Sequence, residues 1–480
     1  MTGTVADSSQ GEASRRSWSM PKLWEGQTLK DKAAHKSMDP SASWFARHRR
    51  LVAMVTPGLV AYIFWWGFVI ANPSILGFFT GVTGVEETRN WYMCIMMLFG
   101  SMIGGATSEG GASVAFPVMT LAFNILPSVA RDFSFMIQSA GMTAASATIA
   151  LMQVEVEMHA IFYATIGGAA GIAFGLQEIA PLLEPAYSKM VFVCTWAAFA
   201  CSLFWLNRYH GRRVFDTIPA WEEGVLGKVY SITLPDHAGE LHLAFNWKAA
   251  ALLLCGFVGG IFSSISGSGI DICTFSVLTL VFRVTEKTAT PTSVVLMAIN
   301  TLVGFLYREF AMGGVEPDAV IFFTVCVPIV VVGAPLGSLL GSHLHRLVLA
   351  SFVYITDSVQ FIGALVVVKP WTSETTDNPL ELSIVSAAIL IVGSIFFAAL
   401  AKFGANLLEK VERLEQNSPE DGSAVGPKED NEESKKNIKA DEEALAAIYP
   451  DTSLHNSNHN KMNSSLSRLS ALALVTLLTG

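Results

Sequence analysis

A glutamate stands among glycines and serines inside a strongly apolar stretch of this 480-residue chain. The segment "GGATSEGGASVAFPVMTLAF" (104–123) contains four glycines, two serines, one proline and the carboxylate of Glu109. Glycines interrupt a helix and let a ligand approach the backbone closely. A helix that restarts after such a break begins with free N–H groups and a partial positive charge. These residue types could bind a small anion, and the carboxylate beside them could carry a proton or bind a cation.

The same arrangement occurs a second time, 159 residues later and without a gap. "FPVMTLAF" (116–123) aligns with "FSVLTLVF" (275–282), and Gly110 aligns with Gly269. Because one offset covers both the break and the helix after it, we infer an internal duplication. Interrupted apolar segments at corresponding positions of two halves indicate a transport site. Further aligned pairs are Ala130 with Ala289 and Ser134 with Ser293.

The duplicated segments supply a set of candidate substrate-binding residues. The glycines would present backbone N–H groups, and serines in the breaks would donate hydroxyl hydrogens. Polar side chains of the following helix would complete the wall, since residues four apart share a helix face. The alternative is that these residues pack helices together and form interhelical hydrogen bonds. The candidates are Ser108, Gly110, Gly111, Ser113, Ser134, Gln138, Ser266, Gly267, Ser268, Gly269, Thr292, Ser293 and Asn300.

Two acidic residues accompany the breaks and are candidates for coupling. Glu109 lies within the first break and Asp271 directly after the second. Carboxylates inside a membrane are rare and usually functional. Glu109 could pair with Arg131 or Arg308, it could be protonated and couple transport to protons, or the substrate could be a cation. Asp357 is a further acid in an apolar segment. It could be functional in the same way, or it could be a structural hydrogen-bond or ion-pair partner.

The elements that must position these residues are membrane-spanning helices. Hydrophobic residues make up 51% of the chain and charged residues 15%, with a mean hydropathy of +0.46, whereas soluble domains carry about 25% charged residues. Apolar runs of about 20 residues match the length of a transmembrane helix. The predicted spans are 51–70, 91–125 (broken), 127–151, 159–180, 187–206, 247–282 (broken), 284–306, 317–340, 346–368 and 381–402.

This composition argues against an aqueous enzyme. The chain contains neither an H-E-x-x-H nor a G-x-S-x-G motif, and these are the signatures of zinc proteases and serine hydrolases. Its six cysteines include no C-x-x-C pair, a spacing that many metal sites use. We therefore expect no catalysis, no cofactor, no metal ion and no nucleic-acid partner.

The distribution of basic residues predicts the topology. The arginines at 47–50, directly before the first span, place the N-terminus in the cytosol. If 91–125 enters the membrane and turns back, the arginines at 208–213 and Lys402 are cytosolic as well. The two repeats then enter from opposite sides and are inverted. We expect an all-α integral membrane protein, a polytopic helical bundle of about 10 spans with two inverted repeats, each opened by a broken, re-entrant helix.

Composition divides the chain into five regions. Residues 1–50 are predicted to be a disordered cytosolic arm, 51–206 the extra first span with repeat 1, 207–246 a polar cytosolic loop, 247–402 repeat 2 with the last span, and 403–480 a charged, mostly disordered cytosolic tail. The tail has 13 acidic and 8 basic residues and so supplies −5 of the net charge of −9. Such a tail could bind a cytosolic partner. The sequence does not specify which membrane contains the protein.

A glycine-rich break, a short apolar segment and a polar-headed helix form a pattern present in both halves. The first copy is "SEGGASVAFPVMTL" followed by "PSVARDFS" (127–134), and the second is "SGSGIDICTFSVLTL" followed by "EKTATPTS" (286–293). The pattern resembles that of the sulfite exporter TauE/SafE family over about 91–368. The resemblance implies a secondary transporter that exports a small anion, plausibly sulfite, a sulfonate or another sulfur-containing or organic anion, across the lipid bilayer by alternating access.

Two other functions are open at this point. The chain could be a proton- or cation-coupled carrier or channel that uses Glu109 and Asp271. It could also be a membrane receptor or scaffold that acts through its acidic tail. Deletion of 417–480 distinguishes the last case, because a transporter would keep its flux and a scaffold would lose its function.

Overall fold

The computed structural model describes residues 44, 48–73, 91–208, 214–219, 230–234, 241–344, 346–373 and 378–417. Within these residues the chain forms twelve α-helices and one two-stranded hairpin. The predicted N-terminal arm before residue 44, the tail after residue 417 and much of the predicted polar loop lie outside the described residues.

The helices are numbered here in chain order. In the first half they are α1 (Arg49–Ala71), α2 (Trp91–Ala106), α3 (Ala112–Pro117), α4 (Pro127–Met152), α5 (Met158–Phe174) and α6 (Pro185–Arg208). In the second half they are α7 (Trp247–Ser266), α8 (Ile270–Ser276), α9 (Glu286–Ala311), α10 (Pro317–His343), α11 (Arg346–Val368) and α12 (Pro379–Asn417). Strands β1 (Tyr230–Leu234) and β2 (Leu241–Phe245) pair antiparallel within the region predicted as a polar loop.

Nine helices in the described part of the chain are long and apolar enough to cross a membrane. The shorter α2 has 16 residues. Helices α3 and α8 each continue into a π-helical turn, Val118–Ala122 and Val277–Val281, and so form half-helices. The predicted polytopic helical fold is confirmed, and both breaks fall inside the segments predicted to be broken.

The helix bounds of the two halves recur at a spacing of 159 residues. The two π-helical turns are separated by this spacing, and so are α4 and α9 at both of their ends. Asn124 and Arg283, which follow the half-helices at equivalent positions, both have left-handed backbone with φ of 53° and 57°. Helices α2–α6 therefore correspond to α7–α11, and α1 and α12 are additions to this scheme.

The first helix of each repeat, α2 or α7, packs against the fourth helix of the other repeat, α10 or α5. Helix α2 contacts α10, where a Cβ on Gly105 would overlap the carbonyl oxygen of Ala334. Helix α7 contacts α5 in the same way, because a Cβ on Gly256 would overlap the carbonyl oxygen of Ala164. Close backbone approach through small residues is a common way for membrane helices to associate. Many of the glycines outside the breaks thus serve helix packing.

Helices α4 and α9 are central and run antiparallel. The membrane-spanning window of α4 is 89% buried, compared with 11% for that of α12. Asp132 near the start of α4 pairs with Arg308 near the end of α9 at 2.9 Å. At the opposite end, just beyond α4, the backbone N–H of Glu157 donates to Thr292 Oγ1 near the start of α9 at 2.8 Å. The central helices of the two halves therefore point in opposite directions.

Candidate functional site

The two helix breaks lie against each other beside α4. Ser268 Oγ in the second break donates to the backbone oxygen of Glu109 in the first at 3.3 Å. Gln138 of α4 contacts both breaks, since its Nε2 donates to the carbonyl oxygen of Gly267 at 2.7 Å and its Oε1 lies against Gly110. The structure therefore brings predicted site residues of both halves together.

Three glycines allow the chain to make these breaks. Gly110, Gly267 and Gly269 have φ of 75°, 82° and 156°, in the region that residues with a Cβ rarely adopt. The space is also restricted, because a Cβ on Gly110 would overlap the sulfur of Met297 and one on Gly267 would overlap the Cβ of Ser134. A larger residue at Gly110 would have to move the side-chain ends of Met297 and Gln138, whereas one at Gly267 would also press on the backbone of α4.

The polar groups of the second break bond mainly to one another. Ser266 Oγ donates to the carbonyl oxygen of Ser268 at 2.8 Å, and Ser268 Oγ donates to Asp271 Oδ2 at 2.8 Å. Ser263 Oγ accepts the N–H of Ile270 at 3.2 Å. Asp271 lies in the first turn of α8, where a negative charge stabilises a helix start. The chain's own carboxylate thus occupies the anion position at the start of α8.

The carboxylate of the first break lacks such donors. Glu109 is 0% exposed, and neither of its carboxylate oxygens has a hydrogen-bond donor among the residues described. The carboxyl group of Asp357 on α11 is 1% exposed and interacts directly with that of Glu109. Neither Asp357 oxygen receives a hydrogen bond from a donor group in the described structure. Two acids therefore meet at the first break, and no cation or donor group from the described part of the chain faces them.

Half-helix α3 begins at the first break with no acidic residue in its first turn. Its N-cap residue, Gly111, has an ordinary helical backbone with φ of −69° and ψ of −23°. Ser113 Oγ donates to the carbonyl oxygen of Gly110 at 2.7 Å. The first N–H groups of a helix have no acceptor within that helix and attract negative charge. The first N–H groups of α8 therefore have an acid in the same turn, Asp271, whereas those of α3 have none.

Arg131 and Arg308 pair with Asp132, so the expectation that one of them pairs with Glu109 is wrong. Both N–O distances are 2.9 Å. Asp132 is 0% exposed and also accepts the backbone N–H of Glu316 at 3.1 Å. The carboxylate of Glu316 also interacts electrostatically with Arg131, so two arginines face two acids at this end of α4. The role of Asp132 could not be predicted from the sequence because its partner Arg308 lies 176 residues away.

The other predicted wall residues bond chiefly within their own helices. Asn300 lies near the second half-helix, since a Cβ on Gly168 would contact both its Oδ1 and Ile270. Its Oδ1 has no donor in the described residues. Ser108 is buried with 6% exposure. The donor and acceptor pairs within helices are Ser134 to Ala130, Thr292 to Thr288, Ser293 to Thr290 and Asn300 to Leu296.

Two pockets lie at opposite ends of α4, and each contains one basic side chain. The Lys287 pocket has a volume of about 60 Å³ and includes Thr148 near the end of α4. The Arg131 pocket has a volume of about 130 Å³ and includes Ser128 near the start of α4. Ser128 and Thr148 are separated by about 30 Å along the helix, at 1.5 Å per residue.

The two pockets correspond to each other in the repeats. Ala106 lines the Lys287 pocket and Ile265 lines the Arg131 pocket, and these residues are 159 positions apart. The same spacing relates Lys287 to Ser128. Ala106 ends α2 and Ile265 is the penultimate residue of α7. Each pocket therefore borders the end of the helix that precedes one of the two breaks.

Paired interrupted helices in a multi-pass bundle are typical of membrane transport proteins. The model of the family "Sulfite exporter TauE/SafE" matches residues 92–359, which is more than half of the chain. The chain belongs to this family, and it is a multi-pass membrane protein of a transporter family. No curated protein and no solved structure shows significant similarity to it.

Proposed function

We propose that this protein exports a small anion, such as sulfite, a sulfonate or another small sulfur-containing or organic anion, by alternating access. The observation that carries the proposal is the start of α3, which lies at the buried meeting point of the two breaks and has no acid in its first turn. Membership of an exporter family supports the same function.

The orientation that we propose is that of inverted repeats with the end of α4 in the cytosol. Antiparallel packing of α4 and α9 supports the inversion. Basic residues collect at the proposed cytosolic end, as the positive-inside rule requires. Arg49 Nε donates to the carbonyl oxygen of Leu151 at 2.7 Å, and Lys287 lines the pocket at that same end of α4.

Each pocket would serve as the entrance in one of the two access states. Lys287 at one end and Arg131 at the other line the two pockets and would attract an anion toward either end of the pathway. The breaks between the pockets are closed in this conformation, since Glu109 and Ser268 are 0% and 1% exposed. Transport would require a movement that opens the breaks to one pocket at a time.

We assign the anion to the first break and a supporting role to the second. At the first break, Gly110 and Gly111 would offer backbone N–H groups and Ser108 its hydroxyl group. Ser113 would offer its hydroxyl only after leaving the carbonyl oxygen of Gly110. Gln138 would join them, and its position is fixed by its bond to the second break. At the second break, Asp271 already faces the start of α8 and would repel a second anion.

Glu109 and Asp357 would couple anion movement to a proton. Two neighbouring carboxylates in an apolar interior cannot both be charged without a large energetic cost. No donor or cation in the described structure faces their oxygens, so a shared proton accounts for their burial. Among the described residues, no group of three or more acidic, histidine or cysteine side chains is placed to hold a metal ion. The pair therefore favours a proton over a metal cation.

The test is flux of labelled sulfite and of a small sulfonate in proteoliposomes, with and without a pH gradient. The matched variants are Glu109→Gln and Ser268→Ala, at equivalent positions of the two breaks. We expect the unmodified protein and Ser268→Ala to move the anion in response to the gradient. Glu109→Gln should retain anion exchange between equal pools and lose its response to the gradient.

Two outcomes would contradict parts of this proposal. If neither anion moves although the protein is folded, the substrate class is wrong. If Glu109→Gln responds to the gradient as the unmodified protein does, Glu109 is not the coupling group. A chain lacking 417–480 should keep its flux, and loss of a separate cellular function with intact flux would instead assign a scaffold role to the tail.

A further inference from the structure

A large apolar pocket lies where α6 of the first repeat meets half-helix α8 of the second repeat and α12. It has a volume of about 560 Å³ and is bounded by α6, the end of half-helix α8 and α12. Trp205, Leu280, Phe397 and Ala398 supply much of its lining. Most of α12 is exposed in the described structure, so this pocket opens toward the bilayer and is separate from the two pockets beside the breaks.

The pocket contains a buried cation that has no anionic partner among the described residues. Arg283 lines it with 6% exposure, and its Nε has no hydrogen-bond partner among the described residues. Its one hydrogen bond there joins Nη2 to the carbonyl oxygen of Ala401 at 3.5 Å. Lys402 lines the same pocket and is exposed. A buried guanidinium without an anion is costly, so these groups call for a negative charge from outside the chain.

We propose that this pocket binds an anionic phospholipid. Its apolar walls fit acyl chains, while Arg283 and Lys402 fit a phosphate-containing headgroup. Trp205 lies in the same pocket, and tryptophan is enriched where membrane meets water. A free phosphate ion would pair with the cations and would leave the apolar walls uncovered.

The pocket lies at the end of the molecule that we assign to the cytosol. The N–H of Phe215 donates to the carbonyl oxygen of Arg283 at 2.9 Å. Three residues further on, the N–H of Ile218 donates to Glu157 Oε2 at 2.8 Å, just beyond the end of α4. Anionic lipids are concentrated in the cytosolic leaflet, so the lipid would be available there. The pocket itself does not depend on this assignment.

The site is specific to the second repeat. Asn124 occupies the position equivalent to Arg283 and has nearly the same φ, 53° against 57°. Asparagine tolerates a left-handed backbone better than most residues, so Arg283→Asn removes the charge and keeps the local conformation. Because Arg283 lies two residues after the end of the π-helical turn of half-helix α8, a bound lipid would hold the end of the second re-entrant segment that we assign to the cytosol.

The experiment is native mass spectrometry of the full chain in detergent with phosphatidylglycerol, phosphatidylcholine of the same acyl chains, or inorganic phosphate. We expect one phosphatidylglycerol to bind in clear preference to phosphatidylcholine, and inorganic phosphate not to bind detectably. Arg283→Asn and Lys402→Gln should each reduce the preference about fivefold, as one cation near an anionic membrane surface contributes. The control is Lys189→Gln, which lies on α6 about 24 Å from Trp205 and should change nothing.

Several results would overturn the proposal. Equal binding of both lipids would show that the pocket accepts acyl chains and does not distinguish the charge of the headgroup. An unchanged preference in both Arg283→Asn and Lys402→Gln would place the lipid elsewhere. If phosphatidylglycerol binds only after deletion of 417–480, the occupant is the chain's own tail. None of these results affects the anion flux that tests the proposed function.

Discussion

Glu109 and Ser268 stand at equivalent positions of the two helix breaks, 159 residues apart. In the second break the hydroxyl of Ser268 bonds to Asp271 and to the first break. In the first break the carboxylate of Glu109 has no donor among the described residues and faces Asp357. The backbone geometry is similar, with a glycine of positive φ in each break, but the chain itself satisfies the polar groups of the second break far better.

This difference indicates a division of labour within a duplicated fold. A buried polar group that lacks a partner destabilises the protein, and such groups are retained mainly where a ligand, a proton or a movement supplies the partner. The second break is bonded to itself and can act as a fixed support. The first break has the unsatisfied acids and the uncompensated half-helix, and so it is the better candidate for binding and coupling.

The comparison extends to the helices after the breaks, where we expect the largest effect. Pro291 in α9 stands where α4 has Asp132, so only α4 carries the buried ion cluster. Asp132→Asn would leave Arg131 and Arg308 buried without their anion and should lower the free energy of unfolding by about 3–5 kcal/mol. Thermal unfolding in detergent measures this. The control Asp318→Asn changes an exposed acid in the first turn of α10 and should lose less than about 1 kcal/mol. Equal stability of the two variants would mean that solvent or lipid compensates the arginines.

The acids of the two breaks should respond in opposite ways to neutralisation. Asp271→Asn weakens the bond from Ser268 and should cost about 1 kcal/mol. Glu109→Gln gives Asp357 an amide donor and should leave stability unchanged or raise it by up to about 1 kcal/mol. Unfolding midpoints of the two variants in the same detergent provide the measurement. Destabilisation by Glu109→Gln equal to that by Asp271→Asn would remove the distinction between the breaks.

The smallest effect is expected on the anion flux when Lys287, which lines one of the two pockets, is replaced. Lys287 is exposed, so Lys287→Gln should slow anion flux only about twofold to threefold, and less at high salt, because exposed charges act by steering. Arg131→Gln should have a larger effect because Arg131 also belongs to the buried cluster. Initial rates at low and high ionic strength measure both. A salt-independent loss in Lys287→Gln would instead indicate direct contact with the substrate.

Features that depend on local pattern could be predicted from the sequence. The apolar runs, the two breaks and the shared offset predicted the helices and their correspondence, although the last helix continues to Asn417, beyond the predicted end of its span at residue 402. The shared face of Ser134 and Gln138 was also correct, since Gln138 Nε2 donates to the carbonyl oxygen of Ser134 at 3.2 Å. Helix periodicity and glycine conformation decide these features within a few residues.

Pairings between distant segments could not be predicted. The partner of Arg131 and Arg308 proved to be Asp132, and the neighbour of Glu109 proved to be Asp357 on another helix. The β-hairpin was missed although YSITL (230–234) and LHLAF (241–245) both have apolar residues at every second position, because the polar composition of the region indicated a loop. The hydroxyls of Ser134, Ser266 and Ser293 were expected to face a substrate, yet each donates to a backbone oxygen in this conformation.

Helix α2 packs against α10, and α5 packs against α7. These contacts between the two halves have a consequence for biogenesis. When the first half leaves the ribosome, α2 and α5 have not yet met α10 and α7, and the glycine faces around Gly105 and Gly167 have only lipid to contact. Neither half can reach its final packing alone, so insertion into the membrane and maturation of the fold are separate events in time. Quality-control proteases would therefore encounter an incomplete molecule until synthesis has passed α10. The two halves, produced as separate polypeptides in one cell, should find each other through these same surfaces.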